Sequence, residues 1–392
     1  MELTEKQQQG LDIAVARHRA GEKYTVIAGY AGTGKSTLVK FIIEALQVES
    51  SKVCYATYTG KAAEVLRKKG NKNVCTLHRL LYDHVPLPAG GFFRKAKPAI
   101  EYSVVVVDEV SMAPKSLIDV LFKHKCYVIC LGDPFQLPPV DKDEDNHLLD
   151  NPHIFLDQIM RQAEDSEIIQ LSMAIREGRP IELMDGMNVK VMDKESLSTG
   201  MLTWADQVLV ATNAERARRN QQMRALYGHT SPLPEEGDKV ICHRNYWDDC
   251  SNVGDPLVNG TIGFLRCPEE GRVDFPRYVR ADHHYFDVIS ADFETEAGTY
   301  PMLNLDKEFL VNGKFSQDYR VLYQLGRLKN RIGDIIPKEF EYGYAITVHK
   351  AQGSEWDKVL IIEERFPFDK TEHARWLYTA VTRASDKLVL LR

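Results

Sequence analysis

The chain has 392 residues, of which 44% are hydrophobic and 27% charged, and its formal net charge is −6. This length and composition are typical of a globular protein of several domains. The acidic balance excludes an overall basic coat for nucleic acid but allows a local basic groove. No long apolar run opens or interrupts the sequence, so we expect neither a secretory signal nor a membrane span. Seven cysteines without a C-x-x-C pair indicate reduced thiols in the cytoplasm.

The first part of the chain alternates between strand and helix patterns. Short aliphatic runs predict strands at 24–28, 52–57, 104–107 and 127–132. Apolar residues at helical spacing predict helices after the first two of these strands, in KSTLVKFIIEAL and GKAAEVLRKK. Apolar strands that alternate with helices are typical of a parallel sheet covered on both faces.

A second α/β region begins near residue 200, and a stretch of different texture interrupts it. We predict a strand in ADQVLVATN (205–213) and a helix in AERARRNQQMRALYG. From 237 to 335, strand-like pieces alternate with turn residues, which predicts an antiparallel, barrel-like insert. These pieces are KVICH, TIGFL, HYFDVI and RVLYQL. The α/β pattern then returns with YAITVHKAQG (344–353), KVLIIE (358–363), a helix around HARWLYTAVTRAS and a last strand, KLVLLR.

The segment GYAGTGKST (29–37) fits the phosphate-binding pattern G-x-x-x-x-G-K-[ST]. Glycines let backbone N–H groups wrap phosphate oxygens, and the N-terminus of the following helix favours negative charge. Lys35 is expected to reach the β- and γ-phosphates of ATP, and Ser36 to hold Mg²⁺. The residues predicted to bind the nucleotide here are Gly29, Gly32, Thr33, Gly34, Lys35, Ser36 and Thr37. The alternative is a glycine-rich turn without a nucleotide, which the flanking strand and helix disfavour.

Two carboxylates follow the strand VVVV in the segment VVVVDEVS (104–111). Asp108 stands at the end of the strand, where ligands bind in open α/β sheets, and is expected to hold Mg²⁺ through water. Glu109 is the natural base, or the group that orients the attacking water. Acidic residues after a strand are common, so the pair indicates a catalytic site only because the phosphate-binding loop (P-loop) at 29–37 precedes it.

Gln136 stands in LGDPFQLPPV (131–140), a proline-rich loop after the strand YVICLG. In a parallel sheet, the end of this strand can lie beside the end that carries Asp108. A rigid loop there would hold an amide near the γ-phosphate and detect its presence. The alternative is a proline-stiffened turn whose glutamine faces solvent, and the residues alone favour neither.

Eight segments stand in the order of the superfamily 1 helicase motifs, and the chain resembles the 5′-to-3′ translocating superfamily 1B branch of the RecD/Dda type. They are GYAGTGKST, TGKAAEVL (59–66), TLHRLL (76–81), VVVVDEVSM, LGDPFQLPPV, IMRQ (159–162), TVHKAQGSEW (347–356) and LYTAVTRA (377–384). The resemblance implies an α/β fold of two RecA-like P-loop domains, with a short hairpin inserted in the first and a small SH3-like β-barrel in the second. It also implies a DNA helicase that uses ATP and Mg²⁺, with Gln136 as the γ-phosphate sensor.

The resemblance assigns further residues to the nucleotide. Gln7 matches a glutamine that recognises adenine, and Glu355, shortly after Gly353, matches a residue that binds the ribose. Arg161 and Arg383 match two arginines that reach the γ-phosphate across the cleft between the domains. Such cations neutralise charge in the transition state once the cleft closes.

For DNA, the resemblance points to small hydroxyls, imidazoles and cations in both domains, which hold a phosphate backbone without reading its sequence. They are Thr59, Lys61, Thr76, His78, Thr347, His349 and Lys350. A lone threonine or histidine is more often a helix cap or a satisfied core residue, and this alternative stays open for each of them.

The segment HVPLPAGGFFRKAK (84–97) predicts a small hairpin that precedes the strand VVVV. An aromatic ring at its tip, from Phe92 or Phe93, would stack on the last base pair of a duplex and keep the strands apart. The alternative is that both rings anchor the hairpin to the core of its domain.

The predicted boundaries place the first RecA-like domain at 1–175, its hairpin at 82–102, the second RecA-like domain at 176–236 and 336–392, and the SH3-like insert at 237–335. We expect a monomeric, cytoplasmic helicase that acts on single-stranded and tailed duplex DNA, away from membranes, with replication or recombination proteins as candidate partners. The alternatives are a motor subunit of a nuclease complex, an ATP-switched binding module and a motor on RNA. Glu109 and the two arginines argue against a module that does not hydrolyse ATP.

Overall fold

The structure, a computed structural model, describes residues 3–86, 92–138, 145–160, 165–252, 256–296, 298–332, 335–366 and 369–392. The chain divides into two compact units. One comprises Met1–Tyr82, Ala96–Arg216 and Ile346–Arg392, and the other Asp83–Lys95 and Ala217–Ala345. In the described ranges, no helix combines the length and the apolar character that a membrane crossing needs.

The strands and helices alternate in the first unit, and strands dominate the second. The strands are β1 (Tyr24–Gly29), β2 (Val53–Thr57), β3 (Val74–Thr76), β4 (Tyr82–Pro86), β5 (Phe92–Ala96), β6 (Val104–Val107), β7 (Tyr127–Gly132), β8 (Ile154–Leu156), β9 (Met184–Asp185), β10 (Val189–Met192), β11 (Gln207–Val210), β12 (Lys239–Cys242), β13 (Tyr246–Cys250), β14 (Pro256–Leu257), β15 (Ile262–Asp274), β16 (Tyr285–Thr295), β17 (Gly298–Asp306), β18 (Phe340–Tyr342), β19 (Ala345–Thr347), β20 (Trp356–Ile362) and β21 (Ala384–Leu391). The helices are α1 (Glu5–Arg19), α2 (Lys35–Ala45), α3 (Gly60–Lys68), α4 (Leu77–Leu81), α5 (Lys115–Leu121), α6 (Glu167–Arg176), α7 (Thr199–Trp204), α8 (Asn213–Leu226), α9 (Lys307–Asn312), α10 (Tyr319–Ile332), α11 (Val348–Ala351) and α12 (Lys370–Val381).

The first sheet has the strand order β3-β2-β6-β7-β1-β8, and its strands pair in parallel. Its central strands are apolar on both faces. Val105 and Val107 of β6 pack in one core cluster with residues of α4 and α5, and Val104 and Val106 pack in another with residues of α2. The predicted parallel sheet, covered on both faces, is therefore confirmed.

The second sheet has the strand order β19-β11-β20-β21-β10-β9. The pairs from β11 to β10 are parallel, and β9 is antiparallel to β10 at the edge. The helix α12, which precedes β21, buries the side chains of Trp376 and Tyr378 almost completely. The second α/β region that the C-terminal strand and helix patterns predicted is therefore present.

The second unit contains a five-stranded sheet with the order β17-β16-β15-β12-β18, whose neighbours are antiparallel. Two further strand pairs, β13 with β14 and β4 with β5, form two-stranded sheets. The second of these pairs falls within residues 82–102, where the sequence predicted a hairpin.

One predicted strand of the insert is wrong. The segment RVLYQL (320–325) belongs to the helix α10. Val321 and Leu325, four residues apart, are buried and pack with Phe275 and Phe286. A short apolar run does not distinguish a strand from one face of a helix, and here the helical spacing decides.

A buried ion pair joins α8 to the loop before β12. Nε and Nη2 of Arg224 donate to the two carboxylate oxygens of Asp238, both at 2.9 Å. Tyr344 also donates to Asp238, at 3.0 Å, and two backbone carbonyls accept from Arg224 at 2.7 Å. Asp238 is fully buried, so removal of one partner would leave an uncompensated charge.

We expect Asp238→Ala to lower the free energy of unfolding by about 3–5 kcal/mol, because Arg224 keeps its buried charge without a counter-ion. The control is Asp287→Ala, which removes the partner of Arg272 in an exposed pair. This control should leave the free energy of unfolding close to that of the wild type, because exposed ion pairs contribute little to stability. Urea denaturation measures the free energy of unfolding of both variants. Equal decreases in the two variants would contradict the difference in burial between the two ion pairs.

Candidate functional site

The P-loop joins β1 to α2 at residues 30–34. Gly32 and Gly34 have φ angles of +75° and +78°, in the left-handed region that favours glycine. A Cβ at Gly34 would also lie 2.5 Å from Nε2 of Gln7, so a side chain there would displace the Gln7 amide. The turn brings the backbone N–H groups of the loop to the N-terminus of α2, an arrangement that suits an anion.

The ammonium group of Lys35 folds back over the P-loop. Its Nζ donates to the carbonyl oxygens of Gly29 and Tyr30, at 2.6 Å and 3.0 Å. Burial raises the pKa values of Asp108 and Asp133, and the charge of Lys35 opposes that rise. Lys35 therefore supplies positive charge where the P-loop meets the ends of β6 and β7.

Gln7 lies beside the P-loop with its side chain buried. Its Nε2 donates to the carbonyl oxygen of Thr33 at 3.3 Å. Its Oε1 accepts from the N–H of Thr4, whose Oγ1 accepts in return from the N–H of Gln7, a capping box at the start of α1. The cap fixes Gln7 beside Thr33, and its contact with adenine stays a prediction.

Asp108 and Glu109 follow β6 directly. Burial, and secondly the negative charge of Glu109, raise the pKa of Asp108 to about 6. Oδ1 of Asp108 accepts from the backbone N–H of Glu109 at 3.0 Å. Glu109 has a φ of +51°, a left-handed conformation that a residue with a Cβ adopts at a cost. Both carboxylates are thus held in an arrangement that lowers the stability of the fold, as often happens at functional sites.

The strand β7 lies between β6 and β1, so the loop after β7 leaves the sheet at the same edge as Asp108 and the P-loop. Gln136 in this loop is 9% exposed, which excludes the alternative of a glutamine that faces solvent. It lines a cavity of about 270 Å³ together with Ser111, Asp133 and Arg375. Its contact with a γ-phosphate stays a prediction.

Two residues without a predicted role connect this site to the second sheet. The hydroxyl of Tyr378, on α12, accepts from the N–H of Ala31 in the P-loop at 2.8 Å and donates to Oδ2 of Asp133 at 2.6 Å. Burial raises the pKa of both side chains. Asp133 had one sequence signal, its place directly after a buried strand, and Tyr378 had another, a hydroxyl within an apolar helix.

Arg383 follows α12 and is 4% exposed. Its Nε donates to the carbonyl oxygen of Thr379 at 3.0 Å, its Nη1 to that of Ser354 at 3.3 Å, and its Nη2 to Oγ1 of Thr382 at 3.2 Å. The guanidinium group is therefore engaged within the second α/β region. A contact with the γ-phosphate requires it to leave these partners. Arg161, the other predicted arginine, lies outside the described residues.

The segment after α11 comes close to the start of α3. A Cβ at Gly353, whose φ is +73°, would lie 3.1 Å from Cβ of Ala62 and 3.2 Å from Oγ1 of Thr59. Nearby, Glu355 forms an ion pair with Lys69 at 2.7 Å. The predicted contact of Glu355 with a ribose stays a prediction, and in this conformation its carboxylate faces a lysine.

The predicted DNA contacts of the first sheet include two helix caps. Oγ1 of Thr59 and of Thr76 each accept from a backbone N–H three residues later, at 3.2 Å and 3.3 Å. Lys61 pairs with Glu64 on its own helix, at 3.1 Å. The ring of His78 lies near two tyrosine rings. Each residue thus has a local structural role, and DNA contact stays a prediction for each.

The predicted DNA contacts of the second sheet stand together at α11. Thr347 is its N-cap residue, but its hydroxyl makes no capping hydrogen bond. Burial lowers the pKa of His349, which favours its neutral form, and Lys350 is the next residue. Phe92 and Phe93 open β5, and their side chains lie outside the described residues.

Known proteins are similar to this chain in sequence. Residues 2–192 match the AAA domain family, and residues 342–391 match the UvrD-like helicase C-terminal domain family. The ATP-dependent RecD2 DNA helicase of Deinococcus radiodurans is 28% identical over 418 residues, which cover 98% of this chain and 48% of that protein. The ATP-dependent DNA helicase dda of Enterobacteria phage T4 is 33% identical over 154 residues, 36% of this chain and 34% of that protein.

A solved structure is similar in fold. The crystal structure of Pif1 helicase from Bacteroides in complex with ADP-AlF3 and ssDNA superposes with a TM-score of 0.53 and 18% identity, and the match covers 100% of this chain and 92% of that chain. At this identity the match concerns the fold alone, the mixed α/β architecture with parallel sheets. The chain spans about half the length of RecD2, and its match to dda covers about a third of each of the two chains.

The raised pKa of Asp108 gives a pH-dependent prediction. Because the folded protein holds the proton until about pH 6, the wild type loses stability as pH rises from about 4 to 6. Asp108→Asn removes the charge, so we expect it to melt higher than the wild type at pH 7.5, by about 2–4 °C for each kcal/mol relieved. The difference should shrink as the pH falls below 6 and vanish below about pH 4.

Thermal melts without divalent cations or nucleotide measure this difference. The control is Asp119→Asn, which removes an exposed carboxylate of α5. If the control raised the melting temperature as much as Asp108→Asn does, the effect would come from net charge rather than from burial.

Proposed function

We propose, because the chain belongs to the superfamily 1B helicases of the RecD and Dda type, that it is an ATP- and Mg²⁺-dependent DNA helicase. In this proposal it translocates from 5′ to 3′ on single-stranded DNA and unwinds tailed duplexes. It acts as a monomer in the cytoplasm, alongside replication or recombination proteins.

The observation that carries the proposal is the meeting of four elements at one edge of the first sheet. The P-loop, Asp108 and Asp133 end three adjacent strands, and Tyr378 brings a helix of the second sheet to the same place. A site shared by two sheets opens and closes when they move apart and together, which is what a motor driven by ATP requires. A P-loop alone would not need the second sheet.

Each group at this edge has a role in the proposed hydrolysis. Lys35 neutralises the β- and γ-phosphates, and Glu109 accepts a proton from the attacking water. The hydroxyl of Ser36 and the carboxylate of Asp108 are hard oxygen ligands suited to Mg²⁺, and a cation there would offset the charge that burial makes costly at Asp108. Mg²⁺ supplies charge neutralisation between the phosphates. Gln136, in the loop beside Asp133, detects the γ-phosphate.

Arg383 and Arg161 complete the site in the proposal. Arg383 exchanges its carbonyl and hydroxyl partners for the γ-phosphate when the nucleotide draws the two sheets together. A guanidinium group that arrives only then stabilises the transition state more than the bound substrate.

The domain assignment and the DNA contacts are also proposals. The RecA-like domains are 1–175 and 176–236 with 336–392, and the SH3-like insert is 237–335, which contains four strands of the five-stranded antiparallel sheet, all but β18. DNA crosses the two RecA-like domains at the residues that begin α3, α4 and α11. They are Thr59, Lys61, Thr76, His78, Thr347, His349 and Lys350. Their hydroxyls and cations suit a phosphate backbone.

ATP hydrolysis with and without single-stranded DNA tests the proposal. We expect DNA to stimulate the wild type, Lys35→Ala to abolish hydrolysis because the phosphates lose their cation, and Glu109→Gln to bind ATP and DNA but hydrolyse at least about 100-fold more slowly. The control Lys40→Ala removes an exposed lysine of α2 and should hydrolyse normally.

Duplexes with one tail test the direction. A duplex with a 5′ tail should be unwound and one with only a 3′ tail should not. The reverse preference would reject 5′-to-3′ movement and leave the motor intact. Stimulation by RNA instead of DNA would favour the RNA motor, and nucleotide binding without turnover would favour the ATP-switched module.

A further prediction concerns the strand pair β4 and β5. If Phe92 and Phe93 part the duplex by stacking, which contributes about 1–3 kcal/mol per base, changing both to alanine should abolish unwinding. DNA-stimulated hydrolysis and melting temperature should stay near those of the wild type. The control Phe264→Ala removes an exposed ring of β15 and should unwind normally. A lower melting temperature with parallel losses of both activities would make the rings a core anchor.

A further inference from the structure

The loop that carries Gln136 is held by the second sheet at the backbone of one residue, Leu137. The N–H of Leu137 donates to Oγ1 of Thr379 at 2.9 Å, and its carbonyl oxygen accepts from Nε2 of Gln352 at 2.7 Å. Leu137, Thr379 and Gln352 are 4%, 0% and 7% exposed. A buried residue needs partners for both its backbone N–H and its backbone C=O, and here both partners of Leu137 come from the second α/β region.

The start of the same loop is held as well. Asp133 accepts from the hydroxyl of Tyr378 at 2.6 Å, and the ring of Phe135 stands edge-on to that of Tyr378 with centroids 5.2 Å apart. Only three residues separate Asp133 from Leu137, and the first of them is a proline with a fixed φ. The position of the Gln136 amide is therefore set by groups of the second sheet as much as by β7.

Gln352 also stands next to the segment predicted to contact DNA. It follows α11 directly, and its N–H donates to the carbonyl oxygen of His349 at 3.4 Å. One residue separates it from Lys350, which is too short a chain to absorb a displacement of α11. On its other side, Gly353 lies near Thr59, since a Cβ at Gly353 would stand 3.2 Å from Oγ1 of Thr59. A displacement of α11 therefore displaces the Gln352 side chain by a similar distance.

We propose that Gln352 is a positioning residue that couples DNA binding to ATP turnover through the carbonyl oxygen of Leu137. The inference rests on the proposed function and adds a route to it. When a DNA strand draws α11 to a new position, the Gln352 amide carries Leu137 with it, and Gln136 shifts relative to the P-loop. Tyr378 and Thr379 hold the rest of the loop to α12, so that the loop moves with the second sheet.

Gln352→Met tests the route, because methionine keeps the length and apolar bulk of the side chain and removes the amide that donates to Leu137. We expect hydrolysis without DNA to stay within about twofold of the wild type. Stimulation by single-stranded DNA should fall about tenfold, since a buried carbonyl left without its donor no longer holds the loop. The dissociation constant for a labelled single strand should be unchanged.

The matched control is Gln207→Met. Gln207 is another fully buried glutamine of the second sheet, and its Nε2 donates to the carbonyl oxygen of Val208 within its own strand. Its replacement removes an amide of the same kind away from the loop. We expect a lower melting temperature with the same ratio of stimulated to basal hydrolysis as in the wild type.

A second pair of variants keeps the test decisive if Gln352→Met does not fold. Tyr378→Phe removes only the hydroxyl that joins Ala31 to Asp133, and we expect it to lower DNA-stimulated turnover about tenfold. Tyr344→Phe removes a comparable hydroxyl, which donates to Asp238 at 3.0 Å in the other unit, and should leave that turnover unchanged.

The outcomes separate the inference from the function on which it rests. A wild type that hydrolyses no ATP with any nucleic acid overturns the proposed function and the inference with it. If DNA stimulates the wild type, and Gln352→Met and Tyr378→Phe keep the same ratio of stimulated to basal hydrolysis, the inference alone is overturned. A reduced ratio in both variants, with normal ratios in Gln207→Met and Tyr344→Phe, supports the route through Leu137.

Discussion

The parallel register of β6, β7 and β1 is the constraint on which the rest of the site depends. Parallel strands end at the same edge, so three loops distant in sequence bring a lysine, two aspartates and a glutamine together. The register itself follows from apolar strands covered on both faces, with Val104 and Val106 on one side and Val105 and Val107 on the other. A one-residue shift of β6 would turn Asp108 away from the P-loop.

The negative charges at this edge destabilise the fold, and the protein offsets them only in part. Burial raises the pKa values of Asp108 and Asp133, Glu109 adds negative charge beside them, and its own backbone is left-handed. Lys35 offsets part of that charge, yet its ammonium group bonds to the P-loop carbonyls rather than to a carboxylate. Groups held at a cost to stability are expected where a ligand supplies the missing charge.

Local patterns predicted the P-loop, the ends of the strands that carry the site, and the helices α2, α3, α8 and α12, because each depends on residues close together in sequence. They missed Tyr378 and Gln352, whose partners lie hundreds of residues away: the hydroxyl of one meets Asp133, and the amide of the other meets Leu137. A hydroxyl within an apolar helix marked Tyr378, but no local pattern identifies the distant partner of either residue. The strand predicted at RVLYQL failed for the opposite reason, since a six-residue apolar pattern fits both a strand and the buried face of α10.

The contacts at Leu137 bear on whether the chain is a switch or a motor. A switch needs nucleotide binding to change one surface, whereas a motor needs the strand to influence the nucleotide as well. Linkage makes the two directions equal for binding: if a strand at α11 alters the affinity for ATP through Gln352, ATP alters the affinity for the strand by the same factor. In the proposed function, hydrolysis then removes the γ-phosphate and resets the strand affinity. The hydrogen bonds that join the backbone of Leu137 to Gln352 and Thr379 are the physical connection that we propose for alternating grip.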